Sequence, residues 1–524
     1  MKRSFALRLA AFALATAGIF LVPGGTANAH PAEPPADATE DSPPAPAEAE
    51  SAAAGVSPPS AELSGDVDRF ALYDMFGNRE PRFSRWNPYQ QNILKGDLPI
   101  FGDRGFLELI AVNFSNNKFR SVVGAGNTPE ESDFEKNNLL FGFEIKMDED
   151  AFHPSPIKFR LLGNMQLNNP GVGESFSDVA LQEAIVNVRL FEFGGNLNLS
   201  FFEGGVRPFK SDLHGLIFND VAAVGRVFGE FRKNLWRYSV GVIHTLPKDP
   251  RSNLISLRED VLLNSPDATA QNIFALVVQR DDLVPGWGAE FSLHANQDRR
   301  AADLDVIYGE AAFFGHLGRF IFQPAVFFAT GTDDLNPLTG VEEDVSAYAG
   351  ILDLRYPMDW ITWRLGAAYA SGDSDPLDGK AEGFDSIKDN LNVFGGPASF
   401  FVSEKVLVKD QNSILPSGKV GGRSNFVNPG ASLLNVGADF LLTPRVTAAV
   451  NLNTISFVDT ATVGNVDKSI GYEGVLALRW RPALNENLVV EGGGAYLSPG
   501  DGLEALLGDD DALASVFLNV LLVY

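Results

Sequence analysis

Segments of about ten residues in this chain alternate between apolar and polar side chains. The chain ends in "ASVFLNVLLVY", where Val516, Leu518, Val520, Leu522 and Tyr524 share one face and the opposite face mixes polar and apolar side chains. Successive side chains of a β-strand point to opposite sides, so this pattern predicts a strand with one continuous apolar face. Taken alone, the segment also fits a buried terminal strand of a soluble β-sandwich.

The same alternation recurs in several longer segments. "IKFRLLGNMQL" places Lys158 and Arg160 opposite an apolar face, and "EAIVNVRLFEFGGNLNLSFF" predicts two strands joined at Gly194-Gly195. "LLNVGADFLLTPRVTAAVNLNTISF" and "YEGVLALRWRPALNENLVVEGGGAYL" predict two more hairpins, with turns at Thr-Pro-Arg and at Pro-Ala-Leu-Asn-Glu-Asn. Short turns between alternating segments are typical of antiparallel strands.

Aromatic side chains end some of these strands on the apolar face, as Tyr472, Trp480 and Tyr496 do. A transmembrane β-barrel requires this pattern, because its outer face meets lipid and its aromatic side chains lie at the two interfaces. Only a closed sheet satisfies every backbone polar group within a bilayer. We therefore predict an all-β fold, a transmembrane antiparallel β-barrel of roughly 16–18 strands over residues 106–524.

Two similar loops, "FATGTDDLNPLTG" and "YASGDSDPLDG", support this strand count. If Gly331 and Gly372 lie at the same end of the barrel, two strands, one loop and one turn separate them. The expected barrel then has short turns at one end, longer loops at the other, and a lumen wide enough for water.

The N-terminus has the parts of a secretory signal. Basic residues open the chain, the apolar run Leu9–Val22 follows, and "ANA" at positions 27–29 fits a signal-peptidase site. The apolar run is shorter than the about 20 residues that a membrane-spanning helix needs. Residues 1–29 are therefore predicted to be a cleaved signal peptide.

Two segments separate this signal from the predicted barrel. Residues 30–70 are rich in Pro, Ala and Glu, which predicts a disordered periplasmic tail. Residues 71–105 include the aromatic, Pro-containing stretch "RFSRWNPYQQNILKGDLPIFGD". We expect this N-terminal periplasmic segment either to pack as an ordered inlet of the barrel or to plug the barrel in part.

The composition of the chain limits the kinds of site and the partners that the protein can have. The chain has no cysteine, which excludes disulfides and thiolate metal sites, and its formal net charge of −26 disfavours nucleic acid as a partner. An exported barrel is expected in the bacterial outer membrane, in contact with outer-membrane lipid. The C-terminal strand, which ends on Tyr524, resembles the signal that the barrel-assembly machinery binds.

Two C-terminal segments resemble the alginate-export family of outer-membrane porins. The matching positions lie in "AAYASGDSDPLDGKAEGFDSI" and "IGYEGVLALRWRPALNENLVVEGGGAYLSPGDG": Ala370, Ser371, Gly372, Asp373, Pro376, Asp378, Gly379, Lys380, Phe384 and Asp385, then Gly471, Glu473, Leu497, Pro499 and Gly500. The resemblance covers roughly the last third of the chain and implies a barrel of about 18 strands that exports a solute or lets it diffuse. Members of that family line the pore with an arginine cluster suited to a polyanion.

The candidate pore-lining residues of this chain carry both signs of charge. They are Lys158, Arg160, Arg189, Arg364, Asp439, Glu473, Arg479, Arg481 and Glu491. A mixed lumen does not favour a polyanion such as alginate. We therefore predict an outer-membrane channel for passive diffusion or export of small or polymeric hydrophilic solutes, a class that includes carbohydrates. The alternative is a non-conducting barrel that serves as a surface adhesin or an envelope scaffold.

No sequence feature predicts an enzyme, a cofactor or a metal site. Asp373, Asp375 and Asp378 offer oxygen ligands of the kind that calcium prefers, but they lack the spacing of a calcium loop and suit any exposed turn. The six histidines are scattered without the spacing of zinc ligands. Neither His244 nor His294 is accompanied by a motif that marks an activated nucleophile.

Overall fold

The computed structural model describes residues 94–100, 102, 104–122, 130–147, 154–169, 176–192, 198–232, 234–246, 248, 255–256, 271–300, 302–391, 394, 399, 422–484 and 487–523. The predicted signal peptide, the predicted tail, the first part of the 71–105 segment, the Gly194-Gly195 turn and Tyr524 lie outside the described residues. No helix among the described residues is long and apolar enough to cross a membrane.

Strands dominate the described part of the chain. In order they are β1 Lys95–Pro99, β2 Gly105–Val122, β3 Glu130–Met147, β4 Ile157–Asn169, β5 Phe176–Glu192, β6 Leu199–Lys210, β7 Asn219–Phe231, β8 Trp236–His244, β9 Ile255–Ser256, β10 Gln271–Val284, β11 Trp287–Asp298, β12 Leu304–Leu317, β13 Phe320–Asp333, β14 Glu343–Met358, β15 Ile361–Ala370, β16 Lys380–Ala381, β17 Ala431–Thr443, β18 Val446–Ser456, β19 Ser469–Trp480, β20 Leu488–Pro499 and β21 Leu513–Val523. A 3₁₀ turn spans Ala461–Val463, and one short helix, α1, spans Asp501–Leu507.

Eighteen of the described strands close an antiparallel barrel. Each strand pairs with the next along the chain, β8 pairs with β10, β15 pairs with β17, and β21 returns to β2 with Asn519 opposite Asn116. The short strands β1, β9 and β16 add to the edges of β2, β5 and β14. The predicted β-barrel of roughly 16–18 strands is therefore confirmed at the upper end of the range.

Side chains alternate between the inside and the outside of this wall. On β14, the inward-facing Val345 and Ala347 are 2% and 4% exposed. Tyr348, the next residue along the strand, points outward and is 58% exposed. Exposed apolar side chains recur on the outer face of other strands, as Val326 does on β13 and Leu452 on β18. Because a bilayer removes this apolar surface from water, the outer face is the lipid-facing surface of an outer-membrane barrel.

Exposed aromatic side chains mark two levels of the outer surface. Trp480 and Trp360 lie beside turns at one end of the barrel, and Tyr472, Tyr496 and Tyr348 lie toward the other end. Aromatic side chains at both interfaces are expected of a membrane barrel. The predicted position of aromatic side chains at the strand ends is therefore observed in the structure.

The two ends of the barrel differ in the length of their connections. At one end, two-residue turns such as 359–360 and 444–445 join the strands, and we call this the turn end. At the other end, which we call the loop end, longer segments such as 334–342, 371–430 and 457–468 connect them. Gly331 and Gly372 both lie at the loop end, as predicted. By the usual asymmetry of such barrels, the turn end faces the periplasm.

Candidate functional site

Residues 211–218, which connect β6 to β7 and are called here the first inward loop, fold into the barrel. Its Leu213 N–H donates to Oε1 of Glu310 at 3.2 Å, and Glu310 faces inward from β12. β12 lies four strands away from β7 around the wall, so this contact takes the loop into the lumen. The first inward loop therefore narrows the lumen instead of covering its rim.

A carboxylate shapes the first inward loop. Oδ1 of Asp212 accepts a hydrogen bond from Leu216 N (2.8 Å), and Oδ2 accepts from Ile217 N (2.9 Å) and from Phe218 N (3.2 Å). Burial raises the pKa of Asp212, and these backbone donors oppose that rise. The loop thus holds a buried acid that its own backbone stabilises.

A second inward loop, residues 382–391 of the long connection between β15 and β17, meets the first inside the barrel. Ile387 N and Lys388 N both donate to Ile217 O at 3.1 Å, Asn390 N donates to Gly215 O at 3.1 Å, and Asn219 N donates to Lys388 O at 2.7 Å. The two loops come from different parts of the wall, so this backbone pairing forms a bridge across the lumen.

One carboxylate joins the bridge to a third loop. Asp220, at the start of β7, forms ion pairs with Lys388 at 2.8 Å and with Lys248 of the β8–β10 connection. All three side chains are at most one-fifth exposed. Burial, followed by the charge of Lys388, lowers the pKa of Lys248 to about 8 although Asp220 opposes the shift. Asp220 therefore links the start of β7 to both the second inward loop and the β8–β10 connection.

Apolar packing fills the barrel around the bridge. The inward-facing ring of Tyr308 on β12 lies 6.4 Å from that of Phe384 and 6.1 Å from that of Phe426, and all three side chains are at most 1% exposed. Ile217 and Phe218 belong to the same buried cluster. The loop-end half of the lumen is thus packed like the core of a soluble protein.

The turn-end half of the lumen carries charged side chains in pairs of opposite sign. Of the predicted pore-lining residues, Lys158 and Arg160 flank Glu144 at 3.8 Å and 3.1 Å, and Arg160 also reaches Glu183 at 3.2 Å. Glu144 is buried, whereas the two basic side chains are about one-third exposed. This part of the wall is therefore nearly neutral on balance.

A second charged group lies on β14, β15 and β17. Arg364 pairs with Asp439 at 3.0 Å. Both are predicted pore-lining residues, and the register of β15 and β17 brings them together. Arg355, which sits opposite Arg364 on β14, pairs with Asp353 at 2.6 Å. The inward face here alternates acid and base.

The remaining predicted residues take different positions. Arg479 pairs with Glu491 at 3.6 Å across β19 and β20. Glu473 is only 2% exposed, and its Oε2 accepts from Asn453 Nδ2 at 2.8 Å and from Ser399 Oγ at 2.7 Å. Glu473 therefore contacts the long connection between β15 and β17 instead of the open lumen.

Two predicted arginines lie close to the turns. The Arg189 guanidinium donates to Pro154 O at 3.4 Å, and that of Arg481 donates to Pro444 O at 3.3 Å. Both contacts bring the arginine to the backbone of a neighbouring connection at the turn end. These side chains lie at the turn end of the barrel.

Sequence reasoning missed the residues that build the bridge. Nothing local distinguishes Asp212, Asp220 or Lys388 from other charged loop residues, because their partners are distant in the chain. The inward pair Asp353 and Arg355 had a detectable signal, since it interrupts the apolar alternation of β14 with two charges on one face.

One group of described side chains has ligand atoms close enough to one another to share a metal ion. The carboxylates of Asp509, Asp510 and Asp511, in the loop between α1 and β21, have ligand oxygens within 4.8 Å of one another. The three residues are partly or fully exposed. Exposed acidic turns of this kind are common without a metal, so this group alone indicates no site.

Of the comparisons with known proteins, the one with solved structures found similar chains. No protein-family model matches the chain, and no curated protein matches it. Three Pseudomonas aeruginosa structures are similar. They are the outer membrane protein OprD (12% identity, 79% of this chain, 94% of that chain, TM-score 0.48), OpdQ (11%, 79%, 98%, 0.48), and OccK2 (OpdF) in complex with glucuronate (12%, 80%, 97%, 0.47). The resemblance of the chain to the alginate-export family stays a prediction.

Proposed function

We propose that this barrel is a passive channel for small hydrophilic solutes. The observation that carries the proposal is the exposure of charged side chains on the inward face. The side chains of Arg355, Asp439 and Arg479 are 43%, 44% and 45% exposed although they point away from the lipid-facing surface. Water that reaches them lies within the barrel, so the turn-end half of the lumen is wet.

The bridge between the inward loops favours small solutes over polymers. A polysaccharide would need a continuous wide lumen, whereas the first inward loop crosses from β7 to β12 and pairs with the second. The paired charges of the wall favour weak ion selectivity, because acidic side chains lie beside Lys158, Arg160, Arg355, Arg364 and Arg479. Diffusion past the bridge, and no catalytic step, is the proposed mechanism.

The proposal includes the two partners that the sequence predicts, outer-membrane lipid and the barrel-assembly machinery. Outer-membrane lipid would contact the apolar outer face, and the barrel-assembly machinery would bind the C-terminal strand β21, whose even-numbered apolar residues face outward. Deleting the last residues of β21 and measuring the amount of folded protein in the outer membrane would test this partner.

Conductance in a planar bilayer tests the channel. The purified folded protein should give discrete open steps, and a salt gradient should give a reversal potential close to zero because the wall charges are paired. Swelling of proteoliposomes should be fast with monosaccharides and slow with longer oligosaccharides. A folded barrel that neither conducts nor admits monosaccharides would instead favour the adhesin or scaffold.

A further inference from the structure

An arginine near the turn end points outward from the barrel. Arg280 and Phe274 are separated along β10 by an even number of residues, so they share one face of the strand. Phe274 is exposed on the lipid-facing surface. Arg280 lies opposite Trp236 on β8, and the face of β8 that holds Trp236 also holds the exposed Val240. The side chain of Arg280 therefore leaves the wall on the lipid side.

Backbone contacts place Arg280 beside the turn that joins β7 to β8. Trp236 is the first residue of β8, directly after this turn, and Asp281 N donates to Leu235 O of the turn at 2.9 Å. In a membrane barrel, tryptophan side chains at strand ends lie where the lipid tails meet the headgroups. The contact between Arg280 and Trp236 therefore lies close to the headgroups of the leaflet at the turn end.

Aromatic rings support the guanidinium of Arg280. Its central carbon lies 4.9 Å from the centre of the Trp236 ring, and the Trp236 ring stacks on Phe231 with 5.6 Å between the ring centres. Phe231 also contacts Tyr238, with 6.2 Å between the ring centres. Stacking on an aromatic ring uses the flat face of a guanidinium and leaves the N–H donors at its edge available for a ligand.

The acids closest to this turn pair with a different arginine. Arg237, which points to the opposite side of β8 from Trp236, pairs with Asp281 at 2.7 Å and with Glu230 at 3.7 Å. Within the described part of the chain, Arg280 forms no ion pair. A charged side chain at the surface of the lipid tails is costly unless it has a counter-charge. For Arg280, that counter-charge must come from outside the described residues.

We propose that Arg280 and Trp236 bind the phosphate of an anionic phospholipid in the leaflet at the turn end. A guanidinium donates two parallel N–H groups to phosphate oxygens. β8 begins opposite Arg280 whereas β10 continues to Val284, so the longer β10–β11 hairpin flanks the site. Because Arg280 faces lipid, the phosphate is that of a lipid. A zwitterionic headgroup carries its own ammonium group, so an anionic headgroup is attracted more strongly.

This site adds a specific headgroup to the general contact between the barrel and lipid. In the usual orientation of such barrels, the leaflet at the turn end is the periplasmic one. The bound headgroup would fix the level of the short β7–β8 turn in the membrane. The proposal concerns the outer surface of the barrel and does not depend on the channel function.

Native mass spectrometry of the purified full-length barrel tests the site. The folded protein is mixed with equal amounts of dioleoyl phosphatidylglycerol and dioleoyl phosphatidylethanolamine, and the retained lipids are measured. The wild-type barrel should retain phosphatidylglycerol in preference. R280Q should lower this retention about tenfold, because it loses a hydrogen bond between charged groups. The matched control is R319Q, which removes an exposed arginine from the β12–β13 turn at the same end. The heat-dependent gel mobility of folded barrels establishes that each variant has folded.

The results separate the proposal from its rivals. Loss of phosphatidylglycerol from R280Q with normal retention by R319Q supports the site. Equal loss from both variants would mean that any positive charge at the turn end attracts the lipid, which overturns the proposal. Equal retention of the two lipids by the wild-type barrel also overturns it. Displacement of the lipid by an excess of inorganic phosphate would assign Arg280 to an anion from solution and overturn the lipid source.

Discussion

Replacement of Asp220 by Asn should loosen the bridge across the lumen. The carboxylate of Asp220 pairs with Lys388 of the second inward loop and with Lys248 of the β8–β10 connection. An Asn at this position keeps the size of the side chain but removes its charge. The two lysines would then face each other in a largely buried position without a counter-charge.

The structure allows the size of this effect to be worked out. Four backbone hydrogen bonds join the two inward loops, and each contributes about 1 kcal/mol to stability. A hydrogen bond to a charged group contributes about 1.5–3 kcal/mol. Losing the ionic contacts of Asp220 should therefore cost about 2–3 kcal/mol locally. Because 1.4 kcal/mol is a tenfold change, the population with the bridge open should rise about 30- to 140-fold.

Two measurements read out the open population. Limited trypsin digestion of the folded barrel should cut D220N after Lys388 faster by the same factor, while the pairing of the strands keeps the barrel intact. Single-channel recordings should show correspondingly more frequent transitions between conductance levels. The variant R299Q, which removes ion pairs of an exposed arginine at the same end of the barrel, serves as the control.

Equal digestion rates at Lys388 in D220N and in the wild type would refute this reasoning. That result would mean that the backbone pairing and the apolar packing hold the bridge without the ion pairs. Faster digestion without any change in conductance would preserve the role of Asp220 and would argue against the bridge as the constriction.

Three further predictions concern the lumen wall, the strands and a buried carboxylate of the loop after β15. R355Q/R364Q should shift the reversal potential toward cation selectivity, because the acids that remain on this part of the wall lose their partners; an unchanged potential would exclude this surface from the conduction path. Gly331→Ala should destabilise the barrel by about 1–3 kcal/mol, because the added Cβ would lie 1.9 Å from a backbone carbonyl oxygen of β12. Gly350→Ala is the control and should be tolerated, because its Cβ would lie 3.7 Å from the nearest atom. Equal urea midpoints for the two variants would contradict this prediction. Burial, followed by the charge of Glu343, raises the pKa of Asp373 from 3.8 to about 7. The folded chain therefore binds more protons than the unfolded chain between these values, so the contribution of Asp373 to stability falls as the pH rises from 3.8 to 7. D373N should remove this part of the pH dependence, measured as the urea midpoints of the two proteins between about pH 4 and pH 7.

The sequence alone determined the architecture of the wall. Alternation with a period of two is a local property of the sequence. It recurs on each strand because each strand must present an apolar face to lipid. For this reason "VTAAVNLNTIS" and "SIGYEGVLALRW" could be assigned as strands with their faces, and the turn before Val446 could be placed. The strand count followed from the spacing of the loops.

Only the tertiary structure decided what fills the barrel. Alternation places Glu473 on the inward face, but the contact with Ser399 depends on where a long connection folds, and no periodicity encodes that. The pairing of Asp220 with Lys388 joins residues that are distant in the chain. A strand pattern fixes which side of the wall a residue faces, whereas the path of the inward loops depends on packing within the closed barrel.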